Sequence, residues 1–181
     1  VIKFSNYTCC LNCGANYTIL RGLNVSKGEL NMEDVKYISE EKASSLIRSE
    51  IHPDDVVMIA VGSSGLALRI PKVLKRAIMS QNFNKITPDK SKVNPIFLEF
   101  CLNDRDVQNQ IKKYVTDTVR TFFSLTNMKE LSVIVPPIDL QNQFAQIVSN
   151  IESQKALLKQ SIQESDDLFN ALVQKAFRGE L

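Results

Sequence analysis

The chain has 181 residues, of which 44% are apolar and 23% charged, with a net charge of +2. That composition suits one globular domain with an extension and excludes a disordered or fibrous chain. No apolar run approaches the roughly 20 residues of a membrane span and no secretory leader pattern is present, so a cytoplasmic protein with no membrane partner is expected.

Tyr17-Thr18-Ile19-Leu20 reads as a strand, with Gly14 and Gly22 as turns around it. A second turn is predicted at Ser26-Lys27-Gly28-Glu29, then a short strand at Val35 to Ile38. Ser39 followed by Glu40 and Glu41 is an N-cap with acids at the positive end of a helix, expected from about Glu40 to Ser49. His52-Pro53-Asp54-Asp55 breaks it. The apolar run Val56 to Val61 then predicts a strand buried on both faces. Gly62-Ser63-Ser64-Gly65 turns the chain into a hairpin partner at Leu66 to Ile70.

Ala77 to Ile86 reads as one further strand, interrupted by Gln81, Asn82 and Asn84. Asn94-Pro95 opens a helix through Leu102, with Asn as cap and Pro at the first helical position. Asp104 to Tyr114 is a second helix, Thr116 to Phe123 a polar loop or strand, Leu125 to Leu131 a helical turn, and Val133 to Val135 a last strand. Strands and helices do not alternate regularly, which predicts an α+β fold with a small, twisted, mostly antiparallel sheet and short helices, followed by a long C-terminal coiled-coil helix.

Pro136-Pro137 closes the globular part and a proline-free stretch follows. Val148, Ile151, Leu158, Ile162, Phe169 and Leu172 fall on two seam positions of a heptad offset by three, with Lys155 and Ser165 as its blemishes. One helix over 139–177 spans roughly 58 Å at 1.5 Å per residue. Such a helix needs a partner for its apolar stripe; the alternative is a helix folded back in two pieces on its own domain. Gly179 punctuates its end. The expected division is a globular domain over 1–138, a spacer and dimerisation helix over 139–178, and a tail over 179–181.

Charge is unevenly spread. Arg69, Lys72, Lys75, Arg76, Lys85, Lys90 and Lys92 stand against Asp89 alone between residues 69 and 92, a hint of a polyanion partner set against a solvated surface. Cys10 and Cys13 form a C-x-x-C, with Cys9 and Cys101 the other cysteines. With one histidine (His52) and no second such pair, incidental reduced cysteines are a better reading than zinc or redox chemistry. Gly62-Ser63-Ser64-Gly65 lacks the Lys-Ser/Thr of a phosphate loop, although small residues at a strand end let a backbone approach a phosphate. Asn94-Pro95-Ile96-Phe97 resembles the N-P-P-[YF] turn of adenine methyltransferases, but Ile96 replaces the second proline and the four residues open a helix; a helix cap is the better reading. No catalytic or metal-ligating set is assigned, and Asp54-Asp55 is read as structural.

The order of the pieces resembles a known family. Tyr17 to Val25 resembles the "y-l-r-x-x-n-v" strand of target-recognition domains, and Ile51 to Val61 their "l-x-x-G-D-i-l" strand with its Gly/Ser turn. Met79-Ser80-Gln81-Asn82 resembles a later "x-x-n-q" segment, and Pro95 to Leu98 continues the match. Pro136-Pro137-Ile138-Asp139-Leu140-Gln141-Asn142-Gln143, the long helix and the closing Phe177-Arg178-Gly179-Glu180-Leu181 resemble the end of a specificity (S) subunit of a type I restriction–modification system. Asp54 stands where the family prefers glycine. Full S subunits carry two recognition domains and two spacers; this chain carries one of each, as expected of half a subunit, natural or a fragment.

The resemblance implies a non-catalytic, sequence-specific DNA-binding subunit that reads one half of a bipartite double-stranded site and docks methyltransferase (M) and restriction (R) subunits. The helix would pair with a second spacer helix, from a homodimer mate or from a missing half of the same polypeptide. No cofactor is expected on this chain, since S-adenosylmethionine and ATP would belong to other subunits. Arg69, Lys72, Lys75, Arg76 and Lys85 are the candidates for DNA-backbone contact. Asn24, Ser63, Ser64, Gln81, Asn82, Arg120 and Thr121 are the candidates for base contact. Two alternatives are a coiled-coil adaptor that binds protein without DNA, separated by salt-sensitive duplex binding, and a fragment of an adenine DNA methyltransferase, separated by cofactor binding.

Overall fold

The computed structural model describes residues 17–26, 29–62, 64–74, 76–115 and 122–180. The chain divides into two compact units, 1–142 and 143–181. Cys9, Cys10 and Cys13, and with them the C-x-x-C, lie outside the described residues, as does the Gly14 turn.

The first unit is α+β. Strand β1 (Tyr17–Leu20) pairs antiparallel with β4 (Lys36–Ile38) and parallel with β8 (Ala77–Met79), which in turn pairs antiparallel with β5 (Glu50–Ile51). This gives a four-stranded sheet of order β4-β1-β8-β5. A two-stranded ribbon, β2 (Val25–Ser26) with β3 (Glu29–Leu30), flanks the turn predicted at 26–29. A three-stranded antiparallel sheet has β6 (Val56–Ile59) in the middle, between β7 (Ala67–Arg69) and β9 (Phe83–Ile86).

The unbroken apolar run of β6 follows from its position. Successive side chains of a strand point to opposite faces. Val57 and Ile59 join one hydrophobic cluster with Leu20, Ile51, Leu68, Ile70, Ala77 and Phe83. Val56 and Met58 join another with Ala67, Leu98, Leu102, Val107, Ile111 and Phe123. All four β6 residues are buried, so neither face tolerates a polar alternate.

Helices α2 (Pro95–Asn103) and α3 (Arg105–Tyr114) supply the second cluster. The first start is capped as the sequence predicts, with Asn94 Oδ1 accepting from the N–H groups of Ile96 (2.9 Å) and Phe97 (3.4 Å); the second begins one residue later than expected, with Asp104 as its cap, Oδ2 accepting from the N–H of Asp106 (2.9 Å). Asn94 Nδ2 donates to Asn142 Oδ1 at 2.9 Å, so this side chain is occupied as a cap. The outer edge of β7 is closed by α2: the Asn103 amide exchanges two hydrogen bonds with the backbone of Ala67 (3.0 and 2.9 Å), and Glu99 Oε1 accepts from the N–H of Arg69 (3.1 Å). Gly65, at φ +95°, passes so close to α3 that a Cβ there would stand 2.8 Å from Ile111 Cγ2.

Three expectations are corrected. The segment read as one strand over 77–86 is two strands in two sheets, because Ser80-Gln81-Asn82 carries the chain from one to the other. Helix α1 is shorter than expected, Glu40–Ser44, and a separate 3-10 turn follows at Ile47–Ser49; Ser39 caps α1 through Lys42 N–H. Val133 to Val135 finds no strand partner among the described residues and is irregular chain. Helix α4 (Leu125–Lys129) matches its expected turn.

The last helix, α5 (Ile138–Arg178), is one continuous element of 41 residues. It begins directly after Pro136-Pro137. Its first turn is fixed inside the globular unit by Gln141, which is fully buried. Gln141 Nε2 donates to the carbonyls of Lys92 (3.1 Å) and Pro136 (2.7 Å), and Oε1 accepts from the N–H of Asn94 (2.9 Å). At the other end Gly179 sits at φ +70°, its N–H bonds Ala176 C=O and the N–H of Glu180 bonds Lys175 C=O, the pairing of a Schellman stop.

Candidate nucleic-acid interface

Three of the seven basic residues of the run form ion pairs and a fourth is hydrogen-bonded to a backbone carbonyl. Arg69 is half-buried, with Nη1 3.3 Å from Asp54 Oδ1 and Nε 3.7 Å from Glu99 Oε2. Lys85 donates to the carbonyl of Glu50 at 2.7 Å. Lys90 pairs with Asp54 at 2.7 Å and Lys92 with Asp89 at 3.5 Å. Lys72 and Arg76 are exposed and make no ion pair among the described residues; the Arg76 guanidinium stacks 5.7 Å from the centroid of the Tyr17 ring. Lys75, between them, lies outside the described residues. The free charge therefore concentrates where the chain enters β8.

The Asp54 turn has a backbone that favours glycine. Asp54 has φ +72°. Pro53 precedes it and Asp55 N–H bonds His52 C=O at 3.0 Å, the pattern of a type II turn, whose third position favours glycine. The buried Asp55 carboxylate accepts from His52 N–H at 2.8 Å and closes the loop. Burial alone would raise the Asp54 carboxyl; the hydrogen bond and charge of Lys90, with those of Arg69, outweigh it and hold the group below its ordinary 3.8. Asp54→Gly relieves about 1 kcal/mol of backbone strain and deletes pairs worth about as much. Its unfolding free energy at pH 7 is expected to stay within about 1 kcal/mol of the parent's by urea titration. A group depressed on folding contributes stability above its unfolded value and loses it as pH falls through the folded one. The variant should therefore lose stability less steeply than the parent below pH 3.8.

The polar candidates separate clearly. Asn24 is only 2% exposed: its Oδ1 accepts from Arg21 N–H, and its amide donates to the carbonyls of Asn31 and Asp34. It is a staple for the loop after β1. Ser64 Oγ donates to the carbonyl of Ala60 at 3.1 Å. Ser63, Arg120 and Thr121 lie outside the described residues; the last two directly precede Phe122, which bridges Val61. Gln81 is exposed and Asn82 half-exposed, and neither side chain is hydrogen-bonded among the described residues. Both line a cleft of about 490 Å³ with Arg21, Leu23, Val25, Ile59, Val61 and Ser80. Sequence reasoning missed the cleft's apolar wall, because it comes from three separate strand ends.

All six seam residues lie on α5. Leu158, Ile162 and Phe169 are 63–65% exposed, Ile151 and Leu172 44–45%, and Val148 is half-exposed. Leu157 and Leu168, also exposed, widen the stripe beyond the heptad read in the sequence. Cys101 is a half-buried free thiol, its pKa raised by burial and then by the charge of Asp104, which keeps it protonated and unreactive. Among the described residues no cluster of His, Cys, Asp and Glu could hold a metal, and no helix is long and apolar enough to cross a membrane.

The EcoBI type I restriction enzyme specificity subunit of Escherichia coli is 22% identical over 167 residues, which are 90% of this chain and 35% of that protein. The crystal structure of the HsdS subunit from Thermoanaerobacter tengcongensis superposes with a TM-score of 0.61 at 18% identity, over 90% of this chain and 42% of that one. A second structure, described under complex assembly and conformational transition of the type I R-M system, gives 0.58 at 17% identity with the same coverage. These two share the α+β fold with its long helix, and the chain spans well under half the length of each relative. The family described as type I restriction modification DNA specificity domain matches residues 13–165, across the globular unit and far into α5, and the chain belongs to that family.

Proposed function

We propose that this chain is the DNA-reading part of a type I restriction–modification specificity subunit, without catalytic activity of its own. Its globular unit recognises one half of a bipartite double-stranded site. Its long helix pairs with a second spacer helix and, with it, docks the M and R subunits. The observation that carries the proposal is the extent of the family match, which takes in the globular unit and most of α5 together. The exposed apolar stripe on α5 supports the helix-pairing part, since a stripe of that size in water marks an interaction surface. Lys72 and Arg76, with Lys75 beside them, supply the phosphate-facing charge, while Arg69 and Lys85 hold the domain together.

Duplex binding titrated against salt tests the reading. Counterion release makes log affinity fall with log salt by about 0.9 per phosphate contact. Lys72→Ala combined with Arg76→Ala is expected to weaken binding to all sequences alike and to flatten the slope by roughly 2. A parent protein whose duplex binding is absent or indifferent to salt would favour the protein-binding adaptor instead.

A further inference from the structure

β1 and β8 are the parallel pair of the four-stranded sheet, with Leu20 opposite Met79. Their two following segments, Arg21–Leu23 and Ser80–Asn82, therefore leave the same end of the sheet side by side. The end of β6 joins them through the N–H of Ala60, which donates to Asn82 C=O at 2.7 Å. The cleft is built where these three ends meet.

Two features mark it as a binding site. The Nε of Arg21 and the Oγ of Ser80 are two of the three described buried side-chain polar atoms that have no hydrogen-bond partner, and both residues line the cleft. Natural interiors leave few such atoms, and each calls for a partner such as an ordered water or a bound group. At the lip, Leu23 is 78% exposed, beside the unengaged carboxamides of Gln81 and Asn82.

We infer that this cleft reads one A·T base pair through its major-groove edge, the Gln81–Asn82 pair taking adenine N6 and N7 and Leu23 taking the thymine methyl. The inference deepens the DNA-reading function proposed above and rests on it. The side chains present select the base. Adenine offers a donor and an acceptor that one carboxamide satisfies together, guanine calls for Arg or Lys, and cytosine for Asp or Glu. Among the described residues no carboxylate lines the cleft. The one arginine among its described residues, Arg21, is tied through Nη2 to the carbonyl of Asp34 (2.6 Å) and its carboxylate (2.8 Å). What remains among the described residues is the Ser80 hydroxyl, which suits any base, with amide and hydrocarbon, the complement of an A·T edge. Arg76 enters β8 four residues before Ser80, about 13 Å along the strand, so phosphate and base contacts come from opposite ends of one element.

The test uses the chain assembled with its methyltransferase subunits, its recognition sequence first read from the methylation pattern it leaves. Gln81→Ala combined with Asn82→Ala is expected to lose roughly 5- to 150-fold discrimination at one A·T position. Other positions and the salt dependence of duplex binding should stay as in the parent. Placing 7-deazaadenine at that position, which removes N7, should weaken the parent and leave the double variant indifferent. Uracil in place of the paired thymine should likewise weaken the parent but not Leu23→Ala. A double variant that keeps full discrimination at every position and stays sensitive to 7-deazaadenine overturns the inference and leaves the DNA-reading function standing. A parent assembly that binds duplex without sequence preference overturns both.

Discussion

Leu158→Asp combined with Leu172→Asp is expected to leave the globular unit folded and to abolish self-association of the chain. The two side chains are 65% and 44% exposed on α5. Burying a large apolar side chain contributes roughly 1.5–3 kcal/mol. Six seam residues on each of two helices thus exceed an association cost of about 4–15 kcal/mol, and a carboxylate at two seam positions reverses the balance. An isolated helix draws little stability from propensity alone, so the double variant should also lose ellipticity at 222 nm while its thermal transition persists. Sedimentation equilibrium against the parent is the measurement. If the proposed function holds, an assembly with methyltransferase subunits should in parallel lose modification of a bipartite site. A parent chain that sediments as a monomer at high micromolar concentration would assign the partner helix to a further segment of a longer polypeptide.

Gln141→Leu is expected to be the most destabilising single change in the globular unit outside its apolar clusters. The side chain is fully buried and joins three backbone groups, from Lys92, Asn94 and Pro136. Leucine fills the space but leaves all three without their partner in a part-buried setting, at about 1–3 kcal/mol per unsatisfied group before relaxation and rehydration. A net loss of roughly 3 kcal/mol lowers the melting temperature by about 6–12 °C in a chain of this size. Asn142→Ala, which deletes only the exposed bond to Asn94, should cost less than about 0.5 kcal/mol. Calorimetry of both variants separates the buried contribution from the exposed one. Equal melting temperatures would show that water replaces Gln141 without loss.

The features legible in the sequence were those decided by neighbours along the chain. Asn94-Pro95 opens its helix, Val56 to Ala60 is buried, and the proline-free tail is one helix. What escaped was decided across distance. Val133 to Val135 has the composition of a strand, but a strand exists only with a partner edge. The break inside 77–86 reflects two sheets competing for one segment. The basic run looked free because Glu50, 35 residues before Lys85, and Glu99, 30 residues after Arg69, carry no local signal of pairing. Asn24 has the right chemistry for a base reader, yet its loop folds back so that Asn31 and Asp34 take its amide. In each case tertiary context overrode local preference.

The placement of β6 also governs how the globular unit comes apart. One strand forms a wall of both hydrophobic clusters, so neither can open while the other keeps its packing. Local fluctuations are thereby confined to the periphery, and the clusters are joined into a single cooperative foldon. The loops at the strand ends can then rearrange around a ligand while the framework that carries them stays intact.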